Sequence, residues 1–260
     1  MGEKRLFIEK IEDKYEKFLK DDYLISSDYL SLNEQSDLKG FLRGKPAILF
    51  GGYPEAERKE VHFIPEYMDI TSEKDLIQYY TEYPDLCSSD VIIVSIPKTE
   101  TRTLSHRDYL GAILGEGIVR EKVGDILVEE KCAKVIISKD VSEYILENLK
   151  YVGRVSVKAE KGTLSDLKDI EDRKEELRLN VPSVRLDNVI SEIFRLSRND
   201  AKNAIEKGIV FVDGAVKDKP DYYLKGGEKL VLRGKGKAYF NGIVGESRKG
   251  NLYISVTRFV

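Results

Sequence analysis

Residues 197–220, SRNDAKNAIEKGIVFVDGAVKDKP, predict a short helix that ends at a glycine and is followed by a β-hairpin. Ser197 and Asp200 form the Ser-x-x-Asp pattern, in which a hydroxyl caps the amide three residues later, so the helix begins there. Gly208 supplies a left-handed exit from the helix. The pair Asp213 and Gly214 favours a tight turn with positive φ between two short strands. This stretch therefore specifies a small unit of mixed helix and strand.

Another helix is predicted directly before this stretch, beginning near Ser183. Its apolar residues fall at i, i+3, i+4, i+7 and i+8, which places them on one helix face. They are Leu186, Val189, Ile190, Ile193 and Phe194. In the following helix Ala201, Ala204 and Ile205 also share a face. We expect these apolar faces to point into the core of a C-terminal module.

The outer face of the second helix and the adjoining hairpin are rich in cations and amides. Arg198 and Lys202 are four residues apart, where like charges repel by about a few tenths of a kcal/mol in an isolated helix. A single lysine is usually only a solvated side chain, but recognition of a phosphate backbone needs such an array, and the helix N-terminus at Ser197 adds amide donors. The candidate binding residues are Ser197, Arg198, Asn199, Lys202, Asn203, Lys207, Lys217 and Lys219.

Charge is distributed unevenly along the chain. The whole sequence of 260 residues has a formal net charge of −3. Residues 181–260 contain 15 Lys and Arg against 9 Asp and Glu, whereas residues 1–180 contain 28 against 37. A cationic module on an acidic carrier suggests a polyanionic partner.

Composition limits the class of protein. The sequence has no apolar run of 18 residues that could span a bilayer, and its first residues lack the pattern of a signal peptide, so we expect a cytoplasmic protein. Cys87 and Cys132 lie 45 residues apart, without a second cysteine or histidine at metal-ligand spacing. With only His62 and His106 besides, we expect reduced structural cysteines, no metal site and no cofactor.

The remaining periodicities predict an α+β protein in three parts. Residues 1–80 should form an N-terminal α/β unit, with an amphipathic helix from Lys4 to about Phe18 and strands within 46–54 and 59–68. Residues 81–160 show the order β-α-β-β-α-β, the split ferredoxin-like arrangement that RNA-recognition domains also use. Residues 161–180 are about half charged, with 11 charged residues of 20, and are expected to be a linker or an exposed helix. Residues 181–260 complete the chain as the small C-terminal domain.

The middle domain offers no obvious base-stacking surface. RNA-recognition domains stack bases on exposed sheet aromatics, whereas the strand sequences VIIVSI and KVIIS contain none. We therefore expect any RNA contact of this domain to run through loops. A secondary basic surface is predicted from Arg102, His106, Arg107, Arg120 and Lys122, with Arg248 and Lys249 in a hairpin loop near the end of the chain.

Strings that resemble catalytic motifs are incomplete. HRDYLGAI at 106–113 is similar to a kinase catalytic loop, but Ile113 replaces the metal-binding Asn and no glycine-rich loop precedes it. GEG at 115–117 and RGKGK at 233–237 lack the strand–turn–helix frame of a nucleotide-binding loop. These strings are interpreted as helix starts, turns and strand ends.

The C-terminal motifs resemble a known RNA-binding family. The stretches VRLDNVI, SRNDAKNAIEKGIVFVDG and KPDYYLKGGEKLVL are similar to the RNA-binding module named after ribosomal protein S-four. SHRDYLGAILGEGIVREKVGDILV, at 105–128, resembles the central signature of bacterial YlmH-type proteins, which carry the same module at their C-terminus. By position, the resemblance implies RNA contacts from Arg185, Arg198, Asn199, Lys202, Lys207, Lys217 and Lys219, while Asp187 is expected to hold the fold.

The same resemblance implies a function. It suggests a ribosome-associated factor that binds ribosomal RNA or tRNA on the large subunit without catalysis, in translation rescue or quality control, with a link to cell division. A pseudouridine synthase is a rival, because such enzymes carry this module and use an Arg-Leu-Asp string. Here Arg185, Leu186 and Asp187 lie in the module itself and are followed by NVI. An RNA-modifying enzyme, or an adaptor that docks a protein through residues 1–160, remains the alternative.

Overall fold

The computed structural model describes residues 2–170, 174–248 and 250–259. The chain divides into two compact units, Met1–Asp169 and Ile170–Val260. The expected boundary between residues 80 and 81 therefore lies inside the first unit. The overall class is the predicted one, a mixture of helices and strands with the small α+β module at the C-terminus.

The first part of unit 1 is a small α/β layer. Its elements are α1 (Gly2–Asp21), β1 (Ile25–Ser26), α2 (Leu32–Leu42), β2 (Ala47–Phe50), β3 (Glu60–Phe63) and α3 (Glu73–Glu82). The strands form an antiparallel sheet in the order β1-β3-β2. Ile11 and Phe18 of α1 are buried against Val61 and Phe63 of β3. This confirms the predicted amphipathic helix and the pairing of the two predicted strands.

The second part of unit 1 is an antiparallel sheet with two helices on one face. Its elements are β4 (Ser89–Ser95), α4 (His106–Gly115), β5 (Val123–Val128), β6 (Cys132–Ser138), α5 (Lys139–Asn148), β7 (Tyr151–Val152), β8 (Val155–Ser156) and β9 (Lys158–Gly162). The strand order is β5-β6-β4-β9, and β7 pairs only with β8. Ile92, Val94 and Val135 are buried together with Ile113 of α4 and Ile145 of α5. The element order is the predicted βαββαβ, with its last strand beginning later than expected.

The other face of this sheet is covered. Val91 and Ile136 point away from α4 and α5, yet they are 1% and 0% exposed. Ile136 lies close to Gly52, which has a φ of +89°, and the Tyr29 hydroxyl donates to Ser89 Oγ at 2.6 Å. The N-terminal layer thus occupies the sheet face on which RNA-recognition domains stack bases.

Polar contacts explain why residues 1–80 and 81–160 belong to one unit. The Asp125 carboxylate on β5 accepts hydrogen bonds from the Tyr53 hydroxyl at 2.8 Å and from the backbone amides of Glu57 and Arg58 at 2.7 and 3.0 Å. Arg58 Nε donates in turn to the Val123 carbonyl at 2.9 Å. These bonds join residues more than 60 positions apart, so local sequence patterns could not reveal them.

The second unit is a six-stranded sheet covered on one face by two helices. Its elements are β10 (Lys174–Val181), α6 (Leu186–Phe194), α7 (Arg198–Glu206), β11 (Val210–Val212), β12 (Ala215–Val216), β13 (Glu228–Leu232), β14 (Gly236–Glu246) and β15 (Leu252–Phe259). The order is β10-β15-β14-β13-β11-β12, with every neighbouring pair antiparallel. The predicted apolar faces of both helices are buried against Val256 and Phe240 of the sheet.

The boundary between the two units does fall within 161–180, but the expectation of a linker or an exposed helix there was wrong for the strands at its two ends. Lys158–Gly162 forms strand β9 beside β4, and Leu164–Ile170 forms a 3-10 helix. Lys174–Val181 forms strand β10, which pairs with β15 over eight residues. Within β10 the apolar side chains of Leu177, Leu179 and Val181 alternate with polar ones, a period of two that indicates a half-buried strand. Lys174, Glu176 and Arg178 lie on the solvent face of that strand, and seven of the eleven charged residues of 161–180 precede it.

Candidate nucleic-acid interface

Helix α7 is oriented by one apolar face. Ala201 and Ile205 are fully buried and Ala204 is 8% exposed. The helix therefore presents its opposite face to solvent, and the predicted residues there are exposed. They are Arg198, Asn199, Lys202, Asn203 and Lys207. Gly208 ends the helix with a φ of +66°, as predicted.

The Ser197 hydroxyl forms hydrogen bonds with Asp200 in its own helix. It accepts a hydrogen bond from the Asp200 amide at 3.1 Å, which confirms the predicted cap. It also donates to the Asp200 carboxylate at 2.6 Å. Because the proton is donated to Asp200 and one of the two oxygen lone pairs is occupied, Ser197 Oγ can contact RNA only as an acceptor unless one of these bonds is displaced. An RNA contact of Ser197 stays a prediction.

Lys202 has a partner that the sequence reasoning did not assign. Its ammonium lies 3.7 Å from the Glu206 carboxylate, one helical turn later. The two side chains are 55% and 50% exposed, so the pair is screened and weak. Glu206 partly offsets the repulsion between Lys202 and Arg198, while leaving the ammonium accessible to a stronger anion.

The hairpin carries its two predicted lysines in different environments. Strands β11 and β12 are joined by Asp213 and Gly214, with φ of +49° and +66°, which confirms the predicted tight turn. Lys217 Nζ lies 4.2 Å from the centre of the Tyr222 ring, a cation–π contact. Lys219 is exposed. The first ammonium is thus held in place and the second can move to meet a phosphate.

Arg185 is oriented by a carboxylate. Its Nε and Nη2 donate to the two oxygens of Asp187 at 3.1 and 2.8 Å, and this bond raises the pKa of Arg185 above its already high ordinary value. Asp187 also accepts from the Asn188 amide at 2.9 Å. The expectation that Asp187 holds the fold is confirmed. Arg185 remains 39% exposed at the start of α6, so its outer edge is open to solvent.

The secondary basic surface does not form as a set of free cations. Lys122 Nζ lies 2.9 Å from Asp28 and 2.6 Å from Asp140, which neutralise it. Arg120 donates to the backbone carbonyls of Val123 and Gly124. These two residues therefore serve the packing of unit 1, a role that the sequence reasoning did not foresee.

The other members of that predicted surface are more exposed. Partial desolvation, and then the nearby Arg120 guanidinium, lower the pKa of His106 below its ordinary value, so this ring is neutral at pH 7. Arg102 and Arg107 are exposed near the start of α4, and Arg248 is exposed in the loop between β14 and β15. Lys249 lies outside the described residues.

The structure of the kinase-like string confirms its interpretation as a helix start. The Asp108 carboxylate accepts from the Ser105 amide at 2.8 Å and from its hydroxyl at 2.6 Å, which closes a capping box on α4. Burial raises the pKa of the Cys87 thiol to about 12, which keeps it protonated and unreactive. Within residues 2–170, 174–248 and 250–259, no cluster of His, Cys, Asp and Glu could hold a metal ion.

No helix in the described part of the chain combines the length and the apolar character that crossing a bilayer requires.

Unit 2 also carries cations outside α7. Lys174, Arg178 and Lys237 lie on the sheet of unit 2 and were not among the predicted site residues. The alternation of polar and apolar residues in β10 and β14 could have predicted these cations on a sheet face. The interpretation of 161–180 as a linker left β10 out of the predicted sheet.

Comparison with known proteins gives two matching family models. Residues 90–166 match the model described as "Putative RNA-binding domain in YlmH". Residues 184–230 match the S4 domain. The second match covers α6, α7 and the hairpin, which are the elements that present the candidate binding residues.

Relatives are similar over much of the chain. The Ribosome-associated protein quality control protein P2 of Bacillus subtilis (strain 168) is 30% identical over 266 residues, covering 98% of this chain and 95% of that protein. The solved structure of the cell division protein ylmH from Streptococcus pneumoniae is 21% identical, with a TM-score of 0.48, and covers 64% of this chain and 94% of its own. Taken with the two domain matches, the similarity along almost the whole length shows that this chain belongs to the YlmH family of proteins with a C-terminal S4 domain.

Proposed function

We propose that this protein is a non-catalytic, ribosome-associated RNA-binding factor of the cytoplasm. The observation that carries the proposal is the exposed face of α7 with its hairpin, called here the α7 surface and defined as Arg198, Asn199, Lys202, Asn203, Lys207, Lys217 and Lys219. Cations and amides project from this rigid surface, because the opposite face of α7 is locked into the core. This surface has the charge and the hydrogen-bonding groups that a folded RNA backbone requires.

The mechanism is binding by charge and hydrogen bonding. Ammonium and guanidinium groups on the α7 surface neutralise phosphates and release condensed counterions, which makes affinity salt-dependent. Asn199 and Asn203 supply donors and acceptors between the cations. Arg185, held by Asp187, adds a fixed guanidinium at the start of α6. No proton transfer or covalent step is needed.

The proposed RNA is ribosomal RNA of the large subunit together with tRNA. Support comes from the relative in Bacillus subtilis, whose name places it in ribosome-associated quality control. We propose the same task for this chain, in which the α7 surface binds a large subunit that still carries a tRNA. A role linked to cell division is proposed with it, as the sequence resemblance to YlmH-type proteins implies.

The test is sedimentation of the full-length protein with ribosomal particles from a cell lysate on a sucrose gradient. Wild type should migrate with the large subunit, and Arg198→Ala/Lys202→Ala should remain near the top. The matched control is Lys10→Ala/Lys20→Ala, which removes two exposed cations from helix α1 and changes net charge equally. If wild type stays at the top, ribosome association is refuted, and if the control also fails, the α7 surface is not the site.

The non-catalytic part of the proposal needs its own test. Nucleosides of ribosomal RNA from a deletion strain and from its parent can be compared by mass spectrometry. We expect identical modification profiles. A modified nucleoside that disappears in the deletion strain, and returns with the wild-type gene, would show an RNA-modifying enzyme instead.

A further inference from the structure

The sheet of unit 2 has a second face, opposite to helices α6 and α7. Along β10, β15 and β14 the core side is lined by Leu179, Ile254 and Phe240, among others. Their neighbours in sequence must point to the other side, because successive side chains of a strand alternate. The outer sheet face is defined here as Lys174, Glu176 and Arg178 of β10, Lys237, Tyr239 and Asn241 of β14, and Tyr253, Ser255, Thr257 and Phe259 of β15.

Three aromatic rings on the outer sheet face are partly exposed, and each has a cation over its ring. The rings of Tyr239 and Phe259 are 5.9 Å apart. Lys174 Nζ and Lys237 Nζ lie 5.4 and 5.0 Å from the Phe259 ring centre. At the other end of β15, the Arg178 guanidinium lies 4.7 Å from the Tyr253 ring centre.

Between these two aromatic ends lies a row of hydrogen-bonding side chains. Asn241 Nδ2 donates to Thr257 Oγ1 at 2.9 Å and to Ser255 Oγ at 3.2 Å. Thr257 Oγ1 donates to the Glu176 carboxylate at 2.6 Å. Glu176 is the one carboxylate on the outer sheet face as defined, and its charge is engaged by this row. The cations of the outer sheet face therefore outnumber its acid.

We propose that the outer sheet face binds a segment of unpaired RNA, separate from the RNA bound by the α7 surface. Flat rings with mobile cations over them suit unstacked bases and their phosphates, since a base can take the place of the cation on the ring, or stack on the Arg178 guanidinium, while the displaced cation binds the backbone. The polar row supplies partners for base edges or a ribose hydroxyl. Because α6 and α7 cover the opposite side of the sheet, the two surfaces can hold two RNA segments at once.

The experiment measures binding of the full-length protein to two fluorescent RNAs by anisotropy: a single-stranded uridine 12-mer and a stable RNA hairpin. Tyr253→Leu/Phe259→Leu removes two rings but keeps apolar bulk. We expect it to weaken binding of the single strand at least about fivefold per ring, the low end for base–aromatic stacking, and to leave the hairpin within about twofold. Arg198→Ala/Lys202→Ala is the matched control and should show the reverse pattern.

A second pair of measurements guards against misfolding of the ring variant. Arg178→Gln alters only a solvent-facing side chain, and it should lower the salt slope for the single strand by about 0.7 without changing the slope for the hairpin. In wild type, uridines substituted with 4-thiouridine should crosslink to peptides from β14 and β15.

The outcomes separate this inference from the proposed function. If wild type binds the hairpin but not the single strand, or if crosslinks fall only within 198–219, the outer sheet face is not an RNA site and the α7 surface still stands. If Arg198→Ala/Lys202→Ala loses binding of the hairpin and keeps binding of the single strand, both the α7 surface and the outer sheet face are supported. Equal loss of both RNAs in the folded Arg178→Gln protein would overturn the separation of the two surfaces.

Discussion

At the scale of single residues, polar side chains of the candidate interface fall into two groups. Arg185 and Ser197 are fixed by carboxylates of the same unit, through Asp187 and Asp200. Lys202 is only loosely paired with Glu206, and Asn199 is exposed on α7. Residues of the first group shape the surface, and residues of the second group have side chains that can change partner.

Ser197→Ala tests the distinction. Losing the cap should lower the free energy of unfolding by about 1 kcal/mol, measured by urea denaturation. Because the hydroxyl proton is donated to Asp200, RNA contact by this oxygen is limited to one accepted hydrogen bond, so RNA affinity of the folded protein should fall by no more than about fivefold. Ser197→Asn keeps a capping side chain and should retain stability. A large loss of affinity in both variants would show that the hydroxyl contacts RNA directly.

His106 gives a prediction about pH. Its folded pKa lies below its ordinary value of 6.5, so the folded protein resists protonation of this ring more than the unfolded chain does. Stability from this group is present above pH 6.5 and is lost as the pH falls through the folded pKa. An NMR titration of the two histidines should give a midpoint below 6.5 for His106. A midpoint above 6.5 would contradict the desolvated environment described for this ring.

At the scale of elements, the geometry of the α7 surface depends on a helix and a turn. Helix α7 fixes where its cations project, and the turn at Asp213 and Gly214 fixes the position of β12, which Lys217 and Lys219 follow. The Asp213 carboxylate also accepts from the Lys229 amide at 2.8 Å, which ties the turn to β13. Both elements are short. The helix depends on Gly208, and the turn on Asp213 and Gly214, to adopt positive φ angles.

Gly214→Ala tests the turn. A side chain at a φ of +66° should lower the free energy of unfolding of the C-terminal unit by roughly 1–2 kcal/mol. Asp213→Asn is the control, since asparagine tolerates positive φ and should cost far less. Denaturation monitored by tyrosine fluorescence measures both. An unchanged midpoint for Gly214→Ala would mean that the turn relaxes without strain.

The cations of α7 predict a salt dependence. The slope of log affinity against log salt concentration for a structured RNA should fall by roughly one unit for each of Arg198 and Lys202 replaced by alanine. Lys10→Ala/Lys20→Ala, on α1, should leave the slope unchanged. If the α7 variants lose affinity but keep the wild-type slope, these residues act through the fold and not through phosphates.

At the scale of the whole molecule, the chain consists of two units whose stabilities can be perturbed separately. Unit 1 joins its N-terminal layer to its second sheet through Asp125 and Arg58. Unit 2 contains the S4 domain match and its own core. A chain of this kind need not unfold in one step, so its stability is best measured locally.

Asp125→Ala should loosen unit 1 alone. Removing the carboxylate leaves the amides of Glu57 and Arg58 without their acceptor, which should lower local stability by about 1–3 kcal/mol. Hydrogen exchange should accelerate in 47–63 and 123–128 and stay unchanged in 174–248. Glu130→Ala, an exposed carboxylate close to β5, is the control. Faster exchange throughout both units would show that they unfold together.

The sequence by itself determined the C-terminal module and its family. Its features depend on residues only a few positions apart, so the sequence alone could predict them. They are the Ser197 cap, the 3.6-residue periodicity of α6 and α7, Gly208 and the Asp213 turn. The exposed cations of α7 follow directly from that periodicity. The order of elements in 81–160 and the lack of aromatic residues on its strands could also be predicted, because they too are local patterns of the sequence.

Only the tertiary structure decided which charges are free and which segments are strands. Lys122 is neutralised by Asp28 and Asp140, far from it in sequence. The 161–180 segment contains strand residues because β15, near the end of the chain, pairs with β10. The outer sheet face likewise exists only once three strands align their rings and cations. Such contacts join residues that are far apart in sequence, so local sequence patterns cannot predict them.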